Sequence, residues 1–111
     1  MARENLGDFE HQVLLTVLRL GGEAYSVPIV EELEERTGRE VAQAAVFIVM
    51  RRLEGKGLLT SRFDSHGTND TGRVRRYFKL TAPAVCKLRE SRRQLIRMWE
   101  GMEGLLDEVA T

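Results

Sequence analysis

Six cations in two clusters carry most of the chemistry this sequence can offer: Arg51, Arg52 and Lys56, then Arg73, Arg75 and Arg76. A guanidinium presents a planar fork of N–H donors that matches the paired oxygens of a phosphate, so these residues suit anion recognition rather than bond making. Residues that could make or break bonds are sparse. His11, His66 and Cys86 lie far apart without ligand spacing, so neither a metal site nor a cofactor is expected. Ser, His and Asp all occur, but no nucleophile elbow assembles them and no glycine-rich phosphate loop follows a strand. No catalytic residue is expected, and the chain reads as a binding protein rather than an enzyme.

The 17 basic and 17 acidic residues cancel over the 111-residue chain, but they are not mixed evenly. Residues 1–38 hold three basic and eight acidic groups, a balance of −5, whereas residues 39–79 hold nine basic and four acidic, a balance of +5. The remainder has five of each. Encounter with a polyanion depends on the local field, and the positive segment is the one that contains both cation clusters. No apolar run approaches the roughly 18 residues of a membrane span, and the first residues lack the basic-then-apolar order of a signal peptide, so the expected location is the cytoplasm. Cys86 is the single cysteine, which fits a reducing compartment.

The first cluster sits on an expected helix from Ala42 to Glu54. At about 100° per residue, Val46, Val49, Met50 and Leu53 form one stripe suited to a core, Ala44, Ile48, Arg51 and Arg52 face away, and Phe47 lies on the flank. Gly55 and Gly57 end that helix. Leu58 to Phe63 and Val74 to Leu80 then read as two antiparallel strands joined by the polar loop from Asp64 to Gly72, which places Arg73, Arg75 and Arg76 at the start of the returning strand. Upstream, Asp8 is expected to cap a helix with Phe9, Val13, Leu14, Val17 and Leu18 at helical spacing, ended by Gly21 and Gly22. Ser26 is expected to cap a second helix with Pro28 in its first turn and Ile29, Val30 and Leu33 inward. Its outer face, Glu31, Glu32, Glu34 and Glu35, is too acidic to lie along phosphates and reads as a solvated surface. Two helices in this order with a short connection make a helix-turn-helix, whose second member enters a major groove, and the strands make a wing beside it.

From Thr81, with Pro83 in the first turn, the pattern predicts one long helix to about Val109. Val85, Leu88, Leu95, Trp99, Met102, Leu106 and Val109 follow spacings of three and four, with Arg92 interrupting the seam. That stripe is longer than a small domain needs, so a partner helix is implied, and the same helix of a second copy is the simplest one. Leu88, Leu95, Trp99, Met102 and Leu106 are the expected dimer contacts. The fold class is therefore mainly α with a small β wing, divided as residues 1–80 for the winged helix-turn-helix and 81–111 for the dimerisation helix.

Several short motifs carry a resemblance: Arg36-Thr-Gly-Arg-Glu-Val41, Ala45-Val46-Phe47, Arg52-Leu53-Glu54, Lys56-Gly57-Leu58, Gly72-Arg73, Arg76-Tyr77-Phe78 and Leu80-Thr81. Together they resemble the PadR family of bacterial winged-helix transcription regulators, and the short single-helix tail fits its smaller branch. The resemblance implies a homodimeric regulator of double-stranded DNA, expected here as a repressor on a palindromic operator. Gln43, Ala44, Phe47 and Ile48 would meet base edges, while Arg51, Arg52, Lys56, Arg73, Arg75 and Arg76 would neutralise phosphates. Relatives that receive flat apolar effectors near the C-terminal helix make Met98, Trp99 and Met102 a candidate effector wall. The chain departs from the family at Phe47, often tyrosine there, and at Ala44, Ile48 and Val49, often glycine or small polar residues. This apolar face motivates the rival expectation, a winged-helix protein-interaction module that no longer reads DNA.

Overall fold

The glycines and caps of the sequence set where each element of the chain ends, as seen in a computed structural model that describes residues 6–64 and 74–110. The order is α1 (Asp8–Arg19), β1 (Glu23–Ala24), α2 (Ser26–Thr37), α3 (Gln43–Gly55), β2 (Leu59–Asp64), β3 (Arg75–Leu80), α4 (Ala82–Trp99) and α5 (Glu103–Ala110). The fold is mainly helical with a small antiparallel sheet, as the sequence predicts.

Two helix starts differ from expectation. The cap of α1 is Gly7 rather than Asp8: the Gly7 N–H donates to Glu10 Oε1 at 3.0 Å, which satisfies an otherwise open donor. The cap of α2 is Tyr25, whose backbone is extended, while Ser26 is already helical and its hydroxyl accepts from Gln43 Nε2 at 2.9 Å. The end of α3 follows the glycine logic closely. Gly57 takes φ 79°, Leu58 N–H returns to the Leu53 carbonyl at 2.9 Å, and Gly57 N–H returns to that of Glu54 at 3.0 Å. Leu53 and Leu58, both buried, close the same turn from the apolar side.

The sheet has a third strand that the sequence does not announce. β3 lies in the centre, with β2 paired on one side from Leu59↔Leu80 to Asp64↔Arg75, and the two-residue β1 on the other through Glu23↔Lys79 and Ala24↔Phe78. Two residues are too few to show alternation, and Glu23-Ala24 has no strand propensity of its own. β3 therefore has neighbours on both sides, and Phe78 is fully buried beneath it. Phe78 shares one core with Val13, Leu14 and Val17 of α1, Ile29 and Leu33 of α2, Val46, Met50 and Leu53 of α3, and Leu59 of β2. Each such side chain contributes about 1.5–3 kcal/mol by leaving water. Leu18, at helical spacing with the buried residues of α1, is exposed, with Leu15, on the side of α1 that faces α4.

The expected single tail helix is broken. α4 ends at Trp99, Gly101 takes φ 77°, and α5 starts at Glu103. A heptad count weighs only apolar spacing and passes over Gly101, where the backbone turns left-handed at no steric cost. At its start α4 is well anchored: the Thr81 hydroxyl accepts from Ala84 N–H at 3.2 Å and donates to the Gly57 carbonyl at 2.8 Å. Ala84 and Leu88 pack into the core, so Leu88, an expected dimer contact, is already spent within its own chain. From Arg92 to Glu108 every residue is exposed; the side chain of Val109 lies outside the described residues.

Candidate nucleic-acid interface

The turn that presents α3 is closed by one acid and one glycine. Gly38 takes φ 73° after α2, and Glu34 Oε2 accepts the Val41 N–H at 2.9 Å. α3 then buries Val46, Val49, Met50 and Leu53 and leaves Ala44, Ile48, Arg51 and Arg52 outside, with Phe47 between the faces, as its periodicity predicts. Ile48 is 58% exposed, so an apolar side chain stands at the centre of the outward face.

Helix and wing meet at a single carboxylate. Glu54 Oε1 lies 3.5 Å from Arg51 Nε and 3.0 Å from Arg76 Nη2, which brings one arginine of each cation cluster to the same carboxylate. Arg51 remains largely exposed; Arg76 does not, with its side chain only 20% accessible. Its Nε donates to Ser61 Oγ at 3.1 Å, and the Ser61 hydroxyl donates in turn to Glu54 Oε2. The guanidinium carbon lies 5.1 Å from the ring centre of Phe63, 5.3 Å from that of Phe78 and 5.9 Å from that of Phe47. Arg76 is thus turned inward, where the sequence places a phosphate contact.

On the flank of the sheet, cations and rings alternate. Arg62 lies 4.8 Å over Tyr77, Tyr77 meets Tyr25 edge-on at 5.4 Å, and Arg75 lies 4.6 Å over Tyr25. Arg62 is bound to Glu23 by two hydrogen bonds of 2.9 and 3.1 Å, and that pairing holds the Glu23 carboxyl below its ordinary range. Hydrogen bonding to Tyr77 raises the Arg75 guanidinium above its ordinary value. Arg75 shares a cleft of about 620 Å³ with Gln43, Phe47, Phe63 and Val74, between the starts of α2 and α3 and the wing. Tyr25, Ser26 and Phe63 join the site without having been expected there. Phe63, 67% exposed on β2, is legible in the sequence only as a strand residue, and the part of Tyr25 depends on β1 lying against β3.

Lys56 belongs elsewhere. Its ammonium pairs with Glu10 Oε2 at 2.9 Å and ties the end of α3 to the start of α1. Burial tends to raise the Glu10 carboxyl, but the Gly7 N–H, Lys56 and the field of Arg52 outweigh it and hold that group below the usual range. Arg73 lies outside the described residues.

The tail offers a second concavity, a groove of about 610 Å³ between α1 and α4 floored by Leu15, Leu18, Leu95, Ile96 and Trp99 and edged by Arg92. The expected trio of effector residues does not form one wall. Only Trp99 lines this groove; Met98 lies in a separate depression with Leu6 and Gln94, because successive residues of a helix face different ways, and Met102, in the turn between α4 and α5, lines neither. Among the described residues no cluster of His, Cys, Asp or Glu could hold a metal, and no helix is long and apolar enough to cross a membrane.

A helix-turn-helix followed at once by a two-stranded wing, with arginines from both on one face, defines a winged-helix protein. The Transcriptional regulator PadR-like family matches residues 14–84, well over half of the sequence, and the chain belongs to that family of regulators, which are not enzymes. A PadR family transcriptional regulator from Eggerthella lenta is 31% identical, covering 85% of this chain and 80% of its own at a TM-score of 0.67. A PadR family regulator from Clostridium difficile shares the fold at 16% identity and TM-score 0.62, over 91% of this chain and 98% of its own. Bacillus subtilis PadR, solved in complex with operator DNA, does so at 18% identity and TM-score 0.60, over 75% of this chain and 45% of its own. No curated protein matches the chain.

Proposed function

We propose that the protein is a cytoplasmic transcription repressor that binds a palindromic operator in double-stranded DNA as a homodimer. The observation that carries this reading is the convergence of Arg51 and Arg76 on Glu54, which aligns helix and wing along one surface. Arg51, Arg52 and Arg75 neutralise phosphates, with Arg73 as a further contact by its place in the sequence. Ala44, Ile48 and the exposed flank of Phe47 meet thymine methyls, and Gln43 reads a base edge when it leaves Ser26. Leu95, Trp99, Met102 and Leu106 join two copies, and two-fold symmetry then sets the half-sites about 34 Å apart. A flat apolar effector in the α1–α4 groove against Trp99 alters the spacing of the two reading helices.

A mobility-shift titration on DNA from the protein's own promoter region, repeated at rising salt, tests this. The reading expects a discrete complex that weakens steeply with salt and is lost in Arg51→Ala with Arg75→Ala. Absence of a complex at low salt overturns it. Ile48, Phe63 and Val74, each exposed, favour a second reading as a protein-interaction module; in that case the partner is held equally well at high salt. For the effector, an aromatic dye quenches Trp99 fluorescence; no quenching removes that part.

A further inference from the structure

Arg76 is poorly placed to serve a phosphate, and its surroundings assign it another part. Three elements meet on its guanidinium: α3 supplies Glu54 and Phe47, β2 supplies Ser61 and Phe63, and β3 supplies Arg76 itself beside Phe78. Nε and Nη2 are both occupied by protein acceptors, at 3.1 and 3.0 Å. An incoming phosphate would have to compete with a carboxylate already bonded to the cation, at a side chain only one-fifth exposed. Glu54 in turn has both oxygens engaged, Oε1 by Arg76 and Arg51 and Oε2 by Ser61. A charge-assisted network of this kind fixes directions as well as distances.

We infer that Arg76 and Glu54 are positioning residues that fix the angle between recognition helix and wing, so that both reach DNA in one register. This rests on the DNA-binding reading above. A rigid angle matters because phosphate contacts made by the wing set where α3 lies in the groove. Arg51, shared on Glu54 but exposed, remains the residue that meets phosphate.

Salt dependence separates a positioning residue from a phosphate contact. Operator affinity is measured across a salt series for the full chain and for Arg51→Ala, Arg76→Gln, Arg76→Lys and Glu54→Gln. Arg51→Ala lowers the slope of log K against log salt by roughly 0.9 for each phosphate that its guanidinium neutralises. Both Arg76 variants weaken binding roughly tenfold with the slope unchanged, and Arg76→Lys, though still charged, does not rescue. Glu54→Gln also weakens binding, although removing an acid beside DNA would otherwise tighten it, and adding it to Arg76→Gln costs little more. A slope decrease equal to that of Arg51→Ala, rescue by Arg76→Lys, or tighter binding by Glu54→Gln overturns the assignment. Amide hydrogen exchange without DNA tests the same clamp independently: residues 59–64 and 75–80 exchange faster in Arg76→Gln and Glu54→Gln while α1 and α2 do not. Unchanged exchange overturns the clamp, whereas failure of the wild-type chain to bind DNA overturns the proposed function and leaves the exchange result to decide the clamp.

Discussion

The helix-wing half of the molecule and its tail meet water in opposite ways. Between α1 and the first turns of α4, apolar residues share one core with Phe78, and partly shielded charges are matched, Glu10 with Lys56 and Glu54 with Arg76. Beyond Ser91 the chain leaves Leu95, Ile96, Met98, Trp99, Met102, Leu105 and Leu106 exposed. Single apolar residues in water are without consequence, but Leu95, Ile96 and Trp99, exposed along one groove, support the dimer contact proposed above. The first half buries its apolar face within the chain, and the second leaves its own in water.

That contrast can be broken most forcefully at its centre. Phe78→Ala is expected to cost about 3–5 kcal/mol, since the cavity lies where helices and sheet all meet, and chemical denaturation should show the loss in midpoint. Next in size is the tail: Trp99→Ala with Leu95→Ala leaves unfolding of a single chain little changed but weakens self-association by about 30-fold or more, the scale of an interface anchor, as read by sedimentation. Equal loss of chain stability and association would erase the distinction between the halves. Smaller again, Lys56→Ala strands the shielded carboxylate of Glu10 and should lower stability by about 1–3 kcal/mol, a drop of several degrees in melting temperature.

The smallest effect is a dependence on acid. The Glu10, Glu23 and Glu32 carboxyls all lie below their ordinary value of 4.5 in the folded chain. A lowered folded value means that the stabilisation is present above the unfolded value and is lost as pH falls through the folded one. Melting temperature should therefore hold from pH 7 to about 5 and decline below 4.5, with Glu10→Gln removing part of the decline.

How far the site was legible follows the range of the interactions involved. The outward face of α3 could be read from Ala42 to Glu54, because a helix converts spacing into direction with no help from elsewhere. The wing strands were legible for the same reason, and so was the placing of Arg51 and Arg52 in solvent. The inward turn of Arg76 was not, since it depends on Glu54 and Ser61, 22 and 15 residues away in sequence. Lys56 was misplaced likewise: its partner Glu10 is 46 residues away and belongs to another helix.

By itself the sequence determined the order of helices, the glycine stops after α2 and α3, the segregation of positive charge into residues 39–79, and the family, all of them properties of neighbours along the chain. Only the tertiary structure decided that β1 completes the sheet, that the tail turns at Gly101, and which arginines stay free to meet an anion. The physical reason is the same each time. A cation's availability, like a two-residue strand, is fixed by what packs against it, and those partners come from distant parts of the chain.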